Sequence, residues 1–278
     1  MRKMKIVADS SANLLELEKV AFASAPLKIV AGEREFVDDC RLNADEMVDF
    51  LDNYKGKSKT SCPNPGDWLD AFKDADDIFC VTITSGLSGS YNAACVAKEM
   101  LEAENSNKRV LVIDSLSAGP ELVLIVEKLQ ELILAGCTYE NICQEIGRYT
   151  QKTGLLFALA SLQNFAANGR VPMAVAKLAG VLGIRIIGRA SLQGTLQPLD
   201  KVRGEVKTLQ KLAERLTADG FAGGKVRIAH CKNQNAAETL AKMIQQDFPG
   251  TDVQISRCLG LCSYYAEKGG LLIGYEKA

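Results

Sequence analysis

Residues 77–94 read Asp77-Ile78-Phe79-Cys80-Val81-Thr82-Ile83-Thr84-Ser85-Gly86-Leu87-Ser88-Gly89-Ser90-Tyr91-Asn92-Ala93-Ala94. The run up to Thr82 is short and nearly all apolar, the pattern of a strand covered on both faces, as in a parallel sheet. A hydroxyl-rich turn punctuated by Gly86 and Gly89 follows and opens a helix. Unsatisfied backbone N–H groups and the positive dipole end at such a helix start favour an anion. The glycines let a ligand approach the backbone. Ser88 taken alone serves equally well as a helix cap.

The same alternation extends outward. Lys5 to Ala8, Leu27 to Val30 and Arg109 to Ile113 read as further strands, separated by amphipathic stretches, which predicts parallel strands joined by crossover helices. Polar clusters end several of them, Asp9-Ser10-Ser11 after the first and Asp114-Ser115 after the last. Ligands of open α/β sheets bind outside such strand ends. Helical patterns over Glu121 to Ala135 and Tyr139 to Lys152 follow, then a strand-like Gly154 to Ala160. The expected fold class is therefore α/β with two domains. Residues 1–160 form a parallel-sheet α/β/α domain carrying hydroxyl-rich ligand loops. Residues 161–278 form an α/β domain with a mixed sheet: Arg185 to Ala190 and Thr195 to Val202 flank Gln193-Gly194 as a hairpin, and strands end at His230, Ser256 and Tyr275.

Composition excludes several classes of function. With 278 residues, 47% hydrophobic and 24% charged, the chain is ordinary globular material. Lysine plus arginine (33) nearly cancel aspartate plus glutamate (34), so no global field points to nucleic acid or to an anionic membrane. The basic start Met1 to Lys5 runs through Ile6-Val7-Ala8 straight into Asp9-Ser10-Ser11, leaving no apolar core for a leader. No apolar stretch approaches the roughly 20 residues of a membrane span. Nine scattered cysteines without CxxC pairs read as reduced thiols of a cytoplasmic protein, and Cys258 with Cys262 is too poor a set to predict a metal.

Two further segments carry candidate chemistry. Lys59-Thr60-Ser61-Cys62-Pro63 places adjacent hydroxyls on a proline-stiffened turn before the helix of Trp68 and Phe72. Asn168-Gly169-Arg170-Val171-Pro172 puts an arginine on a turn leading into the apolar stretch 173–187; a guanidinium there is either solvated or available to a carboxylate. A nucleophile reading of Ser88 lacks support, because the order is not GxSxG, no Gly-Lys-Ser/Thr ending makes a phosphate loop, and serine needs a base. The sole histidine, His230, falls in the other half.

Taken together these segments resemble the DegV family, fatty-acid-binding proteins that include acyl-carrying subunits of bacterial fatty acid kinase. Ile6-Val7-Ala8-Asp9-Ser10-Ser11 looks like its opening strand-Asp-Ser motif, Thr60-Ser61-Cys62-Pro63 like its TSxP, and Ile83 to Tyr91 like its S-S-x-L-S-G-T-Y signature. Asp114-Ser115, Asn168 to Val171, Lys201 to Gly204 and His230 fall in the family's order, so the match covers nearly the whole chain. The resemblance implies a ligand carboxylate held by Thr60 and Ser88, assisted by Ser61, Ser85, Gly89, Arg170 and Tyr265. It implies an acyl chain such as palmitate's buried between the domains, with no cofactor and no metal. The implied partner is a fatty acid kinase catalytic subunit, to which this chain would present its ligand without catalysing.

Four places depart from the family pattern, one of them the Asp114-Ser115 segment, which leads into Gly119-Pro120-Glu121 instead of a glycine-rich continuation. The second serine pair is Thr84-Ser85, and the GG of GGR is Asn168-Gly169. Where the family carries His-x-Gly-Pro-Gly, this chain has Ser263 to Gly270, with Tyr265 nearest the histidine position and Glu267 able to repel a carboxylate if it faces the site. The alternative reading is a phosphotransferase or hydrolase working through Ser88 or His230; a phosphocarrier would need His230 exposed at the domain cleft.

Overall fold

The computed structural model describes residues 2–176 and 183–278. The first half runs β1 (Met4–Asp9), β2 (Ala21–Ala25), β3 (Lys28–Ala31), β4 (Arg34–Val37), α1 (Ala44–Asn53), β5 (Ser58–Ser61), α2 (Pro65–Phe72), β6 (Asp77–Thr82), α3 (Ser90–Glu104), β7 (Arg109–Asp114), α4 (Pro120–Leu134) and α5 (Tyr139–Tyr149). The second runs β8 (Thr153–Leu159), α6 (Gln163–Ala167), α7 (Met173–Ala176), β9 (Ile184–Ala190), β10 (Leu196–Arg203), α8 (Glu205–Ala218), β11 (Lys225–His230), α9 (Gln234–Asp247), β12 (Asp252–Arg257), α10 (Gly260–Ala266) and β13 (Leu271–Glu276).

Strand β6 is buried at every position, as its continuous apolar run requires, and sits inside an all-parallel sheet ordered β2-β1-β6-β7. One expected member is absent from that sheet. The Leu27 to Val30 stretch, as β3, pairs antiparallel with β4 and β5 in a separate three-stranded sheet. Only Pro26 and Leu27 separate β2 from β3, far fewer than the dozen or so residues a parallel crossover needs. The parallel edge falls instead to β2.

The six-stranded sheet is mixed, ordered β10-β9-β8-β13-β11-β12. The hairpin about Gln193-Gly194 forms as expected, with Leu196 opposite Ala190. β8, which the expected division at residue 160 assigns to the first domain, is wholly buried inside this sheet, paired antiparallel to β13 and β9. Strand periodicity then gives its residues two different tasks. Leu156 and Ala158 pack with Leu212, Leu240 and Ile244 of α8 and α9, while Leu155, Phe157 and Leu159 face the other way.

Helix α4 packs against both large sheets, touching β1 and β6 on one side and β8, β11 and β13 on the other. Its Leu122, Leu124, Ile125, Val126 and Leu129 have no exposed surface, a breadth of apolar side chains expected of a helix covered all round. Its contact with β13 depends on Gly274, where an added Cβ would lie 2.5 Å from the backbone carbon and oxygen of Pro120. Backbone cannot yield as a side-chain tip can. Gly274→Val is therefore expected to destabilise the fold by about 2 kcal/mol, read as a lower urea midpoint at unchanged slope.

Candidate functional site

The outward-facing residues of β8 form one wall of a cavity of about 270 Å³. Leu155, Phe157, Leu159, Phe165, Leu196 and Leu272 line most of it, and the Phe165 ring lies 4.5 Å from that of Tyr265. Thr60, Ser61, Ser88, Gly89, Arg170 and Tyr265 also line it. Six of the seven residues singled out in the sequence therefore meet around one space. Ser85 does not: it is exposed and outside the lining, and its N–H donates to Asp114 Oδ1 at 3.1 Å.

The polar residues are held by one another. Thr60 Oγ1 and Tyr265 Oη are 2.8 Å apart, a hydroxyl–hydroxyl contact. The Thr60 N–H donates to Asn168 Oδ1 at 3.1 Å, and Asn168 Nδ2 donates to Tyr264 Oη at 2.9 Å. Arg170 Nε donates to the carbonyl of Leu87 at 2.9 Å, pinning the guanidinium beside the loop that carries Ser88. Ser88 Oγ accepts the Ser90 N–H at 3.3 Å and has no hydrogen bond to a base among the described residues, while the helix cap position itself falls to Gly89. At Gly89 an added Cβ would come 3.3 Å from Cys62 Sγ, so glycine lets the two ligand loops close together.

Two buried carboxylates, neither singled out as a site residue in the sequence, position these loops. Asp9 at the end of β1 has no exposed surface; it accepts the Ile83 N–H at 2.9 Å, the Ser90 hydroxyl at 2.6 Å, and both N–H and hydroxyl of Ser11. It thereby fixes where the hydroxyl loop leaves β6 and where α3 begins. Burial pushes its carboxyl above the usual range, against the pull of these donors. Asp38 accepts the N–H groups of Gly260 at 2.7 Å and Leu261 at 2.8 Å, clamping the start of α10 and hence the approach of Tyr265. Gly260 is needed there, because a Cβ would sit 2.5 Å from Asp38 Oδ1.

Burial pushes the Asp38 carboxyl up to about 6 from 3.8. Between those values the folded state holds more protons than the unfolded chain, so this group lowers stability as pH rises. The expected loss from about pH 4 to about pH 6 is roughly 2 kcal/mol. Stability curves for the parent and Asp38→Asn should diverge over that window, with the variant flatter.

Several sequence expectations resolve elsewhere in the fold. Glu267 is outside the lining of this cavity and faces a second space bounded by Tyr54, Lys55 and Tyr264. His230 is 4% exposed and lines a third, separate cavity that contains neither Ser88 nor Thr60. Cys258 and Cys262 are buried free thiols, and the described residues contain no cluster suited to a metal. Among the described residues no helix is long and apolar enough to cross a membrane. The apolar stretch expected over 173–187 lies partly outside the described residues, at 177–182.

This geometry has close counterparts. A family model described as "Uncharacterised protein, DegV family" matches residues 3–277. The chain belongs to the DegV family. A DegV domain-containing protein of Streptococcus gordonii is 43% identical over 276 residues, 98% of each chain. A DegV family protein from Eubacterium eligens, solved loaded with heptadecanoic acid, is 45% identical with a TM-score of 0.97, covering 99% of this chain and 100% of that one. The Streptococcus pneumoniae Fatty Acid Kinase (Fak) B3 protein, solved loaded with linoleic acid, is 41% identical with a TM-score of 0.97 over 99% and 100%. The parallel four-stranded sheet and mixed six-stranded sheet are those of DegV structures.

Proposed function

We propose that this chain binds one long-chain fatty acid such as palmitate and carries it without transforming it. The observation that supports this most directly is the cavity beside β8, apolar along that wall and furnished with Thr60, Ser88 and Arg170. An acyl tail gains about 0.8 kcal/mol per buried CH₂, which supplies affinity. A carboxylate loses water on entry and needs charge-assisted partners in exchange. Thr60 and Ser88 donate to it in this reading, with Ser61, Gly89, Arg170 and the Tyr265 hydroxyl completing the seat; Ser85 is left out because it faces away. Fatty acids in two DegV structures above 40% identity support the ligand class. Likeness to the Fatty Acid Kinase (Fak) B3 protein supports presentation of the head group to a kinase subunit.

Native mass spectrometry of the protein purified from a bacterial host tests the reading. One fatty acid per chain is expected, released on solvent extraction and restored by added palmitate. A protein that emerges empty and stays empty with palmitate overturns it.

A further inference from the structure

The cavity around His230 shares no lining residue with the fatty-acid site and is mainly polar, with a volume of about 350 Å³. It lies where the parallel pair β11 and β12 ends, bounded by His230, Arg257 and the start of α9, the position where open α/β sheets bind ligands. At that helix start the N–H groups of Gln234, Asn235 and Ala236 have no partner among the described residues, and Asn233 supplies no side-chain cap, because its Nδ2 donates to the Gly269 carbonyl instead. The ring of His230 provides an independent observation. It is 4% exposed, and its Nδ1 accepts the Asn233 N–H at 3.2 Å, which leaves the proton on Nε2. Nε2–H has no partner among the described residues and opens into the cavity that the ring lines. The side chain is otherwise buried, so this accessible donor is available to an occupant of the cavity together with the backbone donors of the helix start.

We propose that this cavity binds a phosphate group, free or as a phosphomonoester, between His230 Nε2–H, the first N–H groups of α9 and Arg257. The Arg257 guanidinium now pairs with Asp45 at 3.3 Å across the mouth, and its side chain is 70% exposed, so it is free to turn inward. Lys232 is occupied by Asp49. Asp45 and the nearby Glu238 are the carboxylates that oppose an anion, and Asp45 acts mainly by holding Arg257. The volume exceeds what bare phosphate fills and suits a phosphomonoester.

His230 is the only histidine of the chain, so its ring nitrogens give unique nuclear magnetic resonance signals. Titrating the full-length protein with inorganic phosphate is expected to shift the Nε2 signal and the Gln234 and Asn235 amides saturably at millimolar concentration, whereas sodium chloride of equal ionic strength leaves them in place. Arg257→Gln should weaken binding about tenfold and Asp45→Asn should tighten it. A nucleoside monophosphate binding more tightly than phosphate identifies a phosphomonoester as the occupant; equal affinities identify the free ion. Shifts that chloride reproduces, an unshifted imidazole, or an Arg257→Gln variant of parental affinity would overturn the proposal. None of these outcomes depends on the fatty-acid site.

Discussion

Palmitate is expected to bind the Thr60→Val, Ser88→Ala double variant about a hundredfold to ten-thousandfold more weakly than the parent chain. Hydrogen bonds to a charged group each contribute about 1.5 to 3 kcal/mol, and a carboxylate left in an apolar wall cannot recover them from water. Arg170 alone does not restore the loss, because its Nε is committed to the Leu87 carbonyl. Thr60→Val also strips Tyr265 of its hydroxyl partner, so Tyr265→Phe is the control that separates the two effects. Palmitate methyl ester, which has no charge to seat, should bind parent and variant within a few-fold of each other. Calorimetric titration of delipidated protein with both ligands makes the measurement; equal palmitate affinity in parent and variant would place the head group elsewhere.

Asp9→Ala should destabilise the protein by about 4 kcal/mol, a large share of a typical folding free energy. The substitution removes the acceptor for the Ile83 N–H and for the Ser90 and Ser11 hydroxyls, all in the interior. Each stranded donor then carries its desolvation cost. Asp9→Asn keeps an acceptor oxygen but turns an amide N–H₂ against neighbouring donors, so it should recover only part of the loss. Urea midpoints of the three proteins check this order. Near-parental stability of Asp9→Ala would show that water fills the gap.

Much of this architecture is legible without coordinates. The apolar runs of β1, β6 and β7 announce buried parallel strands, and Gln193-Gly194 announces the hairpin. Short strands of polar composition do not announce themselves. β4 and β5, Arg34–Val37 and Ser58–Ser61, are four residues each, too short for a period to show; β4 folds back on its neighbour β3, while β5 owes its form to that same strand some distance back along the chain. The same distance effect hid half of the site. Hydroxyls beside glycines on a turn can be recognised locally, whereas the work of Asp9, Asp38 and Asn168 lies in contacts to residues 83, 260 and 60. The cavity's apolar wall was hidden for a different reason. β8 is apolar on both faces, so alternation could not tell which side chains would face helices and which a ligand.

Helix α4 makes the two large sheets one mechanical body. Its apolar side chains fill the space beside β1 and β6, and Glu127 forms a two-pronged ion pair with Arg227 of β11, with N–O distances of 2.7 and 2.8 Å. Swinging the sheets apart would uncover Leu122, Ile125, Val126 and Leu129 at a cost of about 10 kcal/mol. Such an opening is thermally inaccessible. Gly194 at the hairpin tip, the 84–89 loop and Arg170 all border the cavity, so these short segments can part for a ligand while the two sheets stay together.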